Sequence, residues 1–151
     1  MKKEVIDIDS YILKKLSQNA RIPTTEIAKE CGISRAAMHQ HIKRLRDTGI
    51  LKNPQYNIDP FDVGYTSCAY IGVRIESGAL FNNISEELKK FPEIVECNYA
   101  TGPYSIVLKV YTRTRHRLMV IINEVVNNID GVVGTDTMIV LDQSINRSVE
   151  L

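Results

Sequence analysis

The sequence predicts an α+β protein in two parts: an N-terminal winged helix-turn-helix and a C-terminal ferredoxin-like β-α-β-β-α-β domain. Three observations carry this. Apolar residues recur at helical spacing through the first third of the 151 residues. From residue 66 onward, runs that alternate with period two exchange with runs at helical spacing, in the order strand, helix, strand, strand, helix, strand. Charge divides at the same place: residues 1–59 carry 11 Lys/Arg and 7 Asp/Glu, a net +4, and residues 60–151 carry 8 and 11, a net −3.

In chain order, the first helix is expected to start after Asp9, with Ile12, Leu13 and Leu16 as its inner stripe. Ala20-Arg-Ile-Pro23 is the loop that follows. Thr24 is the expected N-cap of a second helix, with Glu26 in the first turn, where the helix dipole favours a carboxylate. Ile27, Ala28 and Cys31 form its apolar stripe, and Gly32 ends it. Ser34 caps the third helix, with Ile33 and Met38 placed to make a hydrophobic staple. Met38, Ile42 and Leu45 fall on one side of that helix; Arg35, Ala36, His39, Gln40, Lys43 and Asp47 point largely the other way. Gly49 ends it, and Ile50 to Ile58 is expected extended, where two short strands would complete a wing. Asn53-Pro54 and Asp59-Pro60 are turn signals. The domain reading is 1–52 for the winged helix-turn-helix, 53–64 for a linker strand, 65–142 for the ferredoxin-like domain and 143–151 for a tail.

In the second part, residues 66–76 alternate, with Ala69, Ile71, Val73 and Ile75 on one face and Cys68, Tyr70, Gly72 and Arg74 on the other. Leu80, Ile84, Leu88 and Phe91 recur as a helix that Pro92 stops. Ile94 to Ala100 is a second strand, Thr101-Gly-Pro103 a turn, and Tyr104, Ile106, Leu108 and Val110 one face of a third strand. Leu118, Ile122, Val125 and Ile129 mark a helix closed by Asp130-Gly131, and Val133, Thr135, Thr137, Ile139 and Leu141 one face of a fourth strand. Both helices are expected on one sheet face. The other face, with Tyr70, Cys68 and several apolar groups, is expected to pair with a second subunit.

An apolar fraction of 44% is that of an ordinary globular protein. No apolar run is long enough to span a bilayer, and Met-Lys-Lys-Glu does not open a signal peptide, so a cytoplasmic protein without membrane contact is expected. Cys31, Cys68 and Cys97 are odd in number and widely spaced, which fits reduced thiols. His39, His41 and His116 show no metal-ligand spacing with them, and no metal or other cofactor is expected. An enzyme is disfavoured: there is no nucleophile–base pairing and no phosphate-cradling loop, and Glu86-Glu87 and Glu93/Glu96 sit on expected solvent faces.

The stretch from Thr24 to Arg46 therefore points to double-stranded DNA, with Ser34, Arg35, Ala36, His39, Gln40, Lys43 and Arg44 as the candidate contacts. Small, amide and cationic side chains on one helix face suit base edges and phosphates. A solvated amphipathic helix is the plainer alternative. At the turn after the second strand, Gly102 lets backbone approach a ligand, and Ser105, Thr135 and Thr137 offer hydroxyls. On these residues alone a plain hairpin turn and good strand formers are the simpler reading, and Tyr99 and Tyr104 beside it suit packing equally well.

The order of the parts resembles the Lrp/AsnC family of transcription regulators (leucine-responsive and asparagine regulators) over roughly residues 5–145. The resemblance is carried by Ile8-Asp9, Ile12-Leu13, Leu16, Asn19-Ala20-Arg21, Ile27-Ala28 and Gly32-Ile33-Ser34. It continues through Arg44-Leu45, Gly49-Ile50, Asn57-Ile58-Asp59-Pro60, Gly64-Tyr65 and Thr101-Gly102-Pro103-Tyr104-Ser105. The last segment and Ile139-Val-Leu-Asp142-Gln143 look nearer the asparagine-regulator branch. The resemblance implies a homodimer built through the C-terminal sheets, further assembly to an octamer or higher, and an amino-acid effector held between dimers. Its site would include Tyr99, Thr101, Gly102, Pro103, Tyr104, Ser105, Thr135 and Thr137. Many relatives read Gly-Asp-Tyr-Asp where this chain has Gly102-Pro103-Tyr104-Ser105. The missing carboxylates disfavour a cationic effector and leave a neutral one, such as asparagine. The alternative reading is an amino-acid-sensing oligomeric module that acts through protein contacts.

Overall fold

A computed structural model describes residues 7–149; the Met-Lys-Lys-Glu start and the last two residues of the expected tail lie outside them. The chain divides into two compact units, one running to Asn57 and including the segment from Asn146, the other Ile58–Ile145.

The first unit is a three-helix bundle. Helix α1 (Ile8–Gln18) begins earlier than its apolar stripe suggests. Asp7 is the cap: its carboxylate accepts from the Asp9 amide at 3.2 Å and the Ser10 hydroxyl at 2.6 Å. Asp9, the other carboxylate in reach, is occupied by His41 and Arg44. Helix α2 (Thr24–Cys31) starts at Thr24, which is therefore not its cap. Pro23 holds that extended position at φ −60°, and its carbonyl accepts from the Glu26 amide at 2.9 Å. Gly32 closes α2 in the left-handed region at φ 68°. Helix α3 (Arg35–Asp47) is capped by Ser34, whose Oγ accepts from the Ala37 amide at 3.1 Å. Ile12, Ile27, Ala28, Met38, Ile42 and Leu45 are buried together, and Ile8, Leu13, Leu16, Ile33 and Leu51 pack around them.

From Lys52 to Asp59 the chain forms no helix and pairs with no strand among the described residues, so an irregular strap stands where the two short strands of a wing were expected. Pro54 removes a backbone donor and restricts Asn53, which works against a ladder there.

The second unit is a four-stranded antiparallel sheet of order β2-β3-β1-β4, built from β1 (Ser67–Ile75), β2 (Ile94–Tyr99), β3 (Ile106–Thr112) and β4 (Val132–Ile139). Helices α4 (Phe81–Leu88) and α5 (Arg115–Val120) complete the expected β-α-β-β-α-β order. Ala69, Ile71, Val73, Ile106, Leu108 and Val110 from the sheet are buried against Ile84 and Leu88 of α4 and Leu118, Ile121 and Val126 of the second helical segment. Two stripes differ from their expected phase. After α5 the chain makes a π-helical turn, Ile121–Val125, then a 3-10 turn, Val126–Asn128. The wider turn rotates Val126, not Val125, into the core. In β4 a bulge opposite Arg74 and Ile75 turns Val132 to the core and leaves Val133 exposed. Leu141 lies beyond the strand and is exposed.

Candidate nucleic-acid interface and effector loop

Ser34 fixes where α3 begins, and the buried trio Met38, Ile42 and Leu45 fixes its rotation. What remains outward is Arg35, Ala36, His39, Gln40, Lys43, Arg46 and Asp47, all exposed. Thr24 and Thr25 of α2 face Arg35, Ala36, Met38, His39, Ile42 and Arg46 across an open hollow of about 520 Å³. Arg46 was not singled out by sequence, although its spacing from Arg35, His39 and Ile42 places it on the same face. Arg44 is turned away from that hollow. Its guanidinium pairs with Asp9, whose other oxygen lies 2.7 Å from His41 Nδ1. The hydrogen bond from His41 holds the Asp9 carboxyl below its ordinary value, against partial desolvation and with help from Arg44. This cluster ties α3 to α1. Of the seven candidate DNA contacts, six are thus presented together or cap the helix, and one serves the bundle.

The turn from Thr101 to Ser105 joins β2 to β3, with Thr101, Gly102 and Pro103 exposed and Gly102 at φ 123°. The Ser105 amide donates to the Val73 carbonyl at 3.0 Å, and the Ala100 amide to the Ser105 carbonyl at 2.9 Å, so backbone holds the loop base to β1. Tyr104 does not share the core face with Ile106. Its ring lies over Gly72 on the opposite sheet face, where an added Cβ would come within 2.5 Å of the ring. The missing side chain of Gly72 leaves a gap there, and regular alternation begins only at Ile106, after the turn. Tyr99 points to the helix side, its ring 4.8 Å from that of Phe81. Thr135 and Thr137 pair with Val73 and Ile71 and so face the helix side, with Thr135 Oγ1 and Asn127 Oδ1 3.0 Å apart. Within one chain the effector candidates therefore split between the two sheet faces.

The face away from the helices is more polar than its sequence implies. It carries Tyr70, Tyr104 and Tyr111, the pair Arg74–Asp136, and Lys109 lying between the Tyr70 and Tyr111 rings. Glu93, expected on a solvent face, is instead tucked against α5, accepting from Arg117 Nε at 2.7 Å. Glu86 and Glu87 are exposed and pair with Lys89 and Lys90. Cys31, Cys68 and Cys97 are free thiols. Among the described residues no cluster of His, Cys, Asp and Glu could hold a metal, and no helix is long and apolar enough to cross a membrane.

A helix-turn-helix with an open basic face, carried ahead of a separate ferredoxin-like unit, defines a DNA-binding regulator with a ligand-binding domain. Residues 7–52 match the winged helix-turn-helix DNA-binding model, and residues 68–149 match the Lrp/AsnC ligand binding domain. The chain belongs to the Lrp/AsnC family of transcriptional regulators. It is 34% identical over 143 residues to the regulatory protein AsnC of Haemophilus influenzae, covering 95% of each chain. It is 36% identical over 135 residues to the transcriptional regulator FL11 of Pyrococcus furiosus, covering 89% of this chain and 88% of that one. The structure of AsnC from E. coli superposes with a TM-score of 0.84 at 29% identity, over 99% of this chain and 100% of that one.

Proposed function

We propose that this regulator reads duplex DNA through the outward face of α3 and that a small neutral amino acid, asparagine-like, controls its assembly. The observation that carries the first half is the alignment of Arg35, Ala36, His39, Gln40, Lys43 and Arg46 on one exposed face above an open hollow. Cations there meet phosphates, and His39 and Gln40, near the N-terminal half of the helix, meet base edges. Replacing Lys43 with Ala should lower the slope of log affinity against log salt by about one, since one phosphate contact is lost. An unchanged slope would count against α3 as the reading helix.

The effector part is supported by the open Thr101–Ser105 turn, which offers backbone donors and acceptors and hydroxyls without a carboxylate. Because Tyr104 and Thr135 lie on opposite sheet faces, a ligand touching both kinds of group needs more than one chain, which fits a site between dimers. The dimer itself is assigned to the tyrosine-rich face, and the cell compartment to the cytoplasm. Screened by thermal shift against the twenty amino acids, the full chain should be stabilised by asparagine or another neutral amino acid, with a change in oligomer distribution. Gly102→Val, whose Cβ meets no atom within 4 Å but which strains a φ of 123°, should abolish that change while the sheet stays folded. A response only to lysine or arginine would overturn the effector class.

A further inference from the structure

We propose that the strap after α3 forms a second DNA-backbone site, in which Arg46 and Lys52 grip a phosphate flanking the groove that α3 enters. This rests on the DNA-reading role of α3 and extends it to a segment where no wing hairpin exists. A hollow of about 480 Å³ opens between the end of α3 and the strap, lined by Arg46, Gly49, Leu51, Lys52, Asn53 and Gln55. Its side-chain chemistry is one-sided: two cations, two amides and no carboxylate, which suits an anion. Arg46 and Lys52 have no carboxylate within 4 Å among the described residues, whereas Arg44 is held by Asp9 and Lys15 by Glu30 at 2.9 Å. Both cations at this hollow are thus free to meet an anion, as Arg35 and Lys43 on the α3 face are.

Position selects the anion. Arg46 lines both this hollow and the one in front of α3, so the two adjoin at its side chain. A duplex seated against α3 brings its sugar–phosphate strand past Arg46 toward Lys52. The strap is held in place at both ends. The Leu51 amide donates to the Leu45 carbonyl at 2.8 Å, and Arg21 hydrogen-bonds the Tyr56 hydroxyl, its guanidinium 4.9 Å from that ring's centre. Tyr56 is 77% exposed, so this stack on Arg21 is what anchors it. Tyr56 is a positioning residue in this scheme, and Lys52 makes the contact.

The test uses the full chain and a fluorescent mixed-sequence duplex, titrated by anisotropy across a salt series. Arg46→Ala/Lys52→Ala should weaken binding and lower the salt slope by about two, one unit for each cation lost. Lys52→Gln alone, on an exposed strap residue that cannot unfold the bundle, should lower it by about one. Tyr56→Ala should weaken binding with no charge removed, and Tyr56→Phe, which keeps the ring on Arg21, should restore most of it. The proposal is overturned if Lys52→Gln leaves affinity and slope unchanged while Lys43→Ala lowers both; in that outcome α3 still reads DNA and the strap does not. If neither variant changes the slope, the α3 reading fails as well.

Discussion

Asp9 and Glu93 are carboxylates held by cations and mostly shielded from water, with side chains 26% and 18% exposed. The Arg117 hydrogen bond holds the Glu93 carboxyl below its ordinary value despite partial burial. A depressed folded-state pKa means that the stabilisation is complete above the ordinary carboxylate pKa of about 4 and is lost as pH falls through the lower folded value. Glu93→Gln should therefore cost about 1–2 kcal/mol near neutral pH, because the bond from Arg117 loses its charge and the amide nitrogen would be buried where Oε2 has no partner. Melting curves of parent and variant should converge in strong acid, where Glu93 is protonated; a gap that persists there would show that the loss is one of packing. Asp9 obeys the same sign, but its loss also frees Arg44 and His41 from α1. Asp9→Asn should thus lower the melting temperature of the three-helix unit while leaving the outward residues of α3 chemically intact.

At the scale of elements, cap chemistry was legible at the start of α3 and the end of α2, whereas α1 and α2 begin one or two residues before the places their sequences suggested. Ser34 and Gly32 do what their residue types dictate, and Ser34→Ala should destabilise the first unit by about 1 kcal/mol, read by denaturant melts of the full chain. Alternation in β1 and β3 was equally legible, because Ala69, Ile71, Val73, Ile106, Leu108 and Val110 face one core. The π-helical turn and the β4 bulge were not legible. Each changes phase by one residue to satisfy packing against elements distant in sequence, and no local propensity marks either. The same holds for the site. The face of α3 follows from helical spacing, which includes Arg46; the diversion of Arg44 depends on Asp9, far away in the chain. Tyr104 was assigned to the wrong face because the turn before β3 breaks the alternation from which its side was inferred.

For the whole molecule, the tyrosine-rich sheet face sets an expectation about assembly. Its charges are paired within the chain, Arg74 with Asp136 and Lys109 near Glu96 at 3.8 Å, so a second copy can cover it without leaving an unmatched ion. A fragment of residues 58–151, which retains the complete second core, should remain dimeric by light scattering at micromolar concentration, and residues 1–57 should not. Tyr70→Glu, placing a new charge in the middle of that face, should shift the full chain toward monomer; a dimer unaffected by it would move the interface elsewhere.

The ring of Tyr104 resting on Gly72 makes two positions on different strands into a single heritable trait. A methyl group at 72 would fall 2.5 Å from the ring at 104, so the ring must leave its seat for the methyl to fit. Single substitutions at 72 should therefore be costly, while paired changes, a larger residue at 72 with a smaller one at 104, should cost less. A library randomised at both positions and selected for folding should return aromatic residues at 104 almost only with glycine at 72. In lineages that have drifted from this chain, a side chain at 72 should be found only where the ring at 104 has been lost.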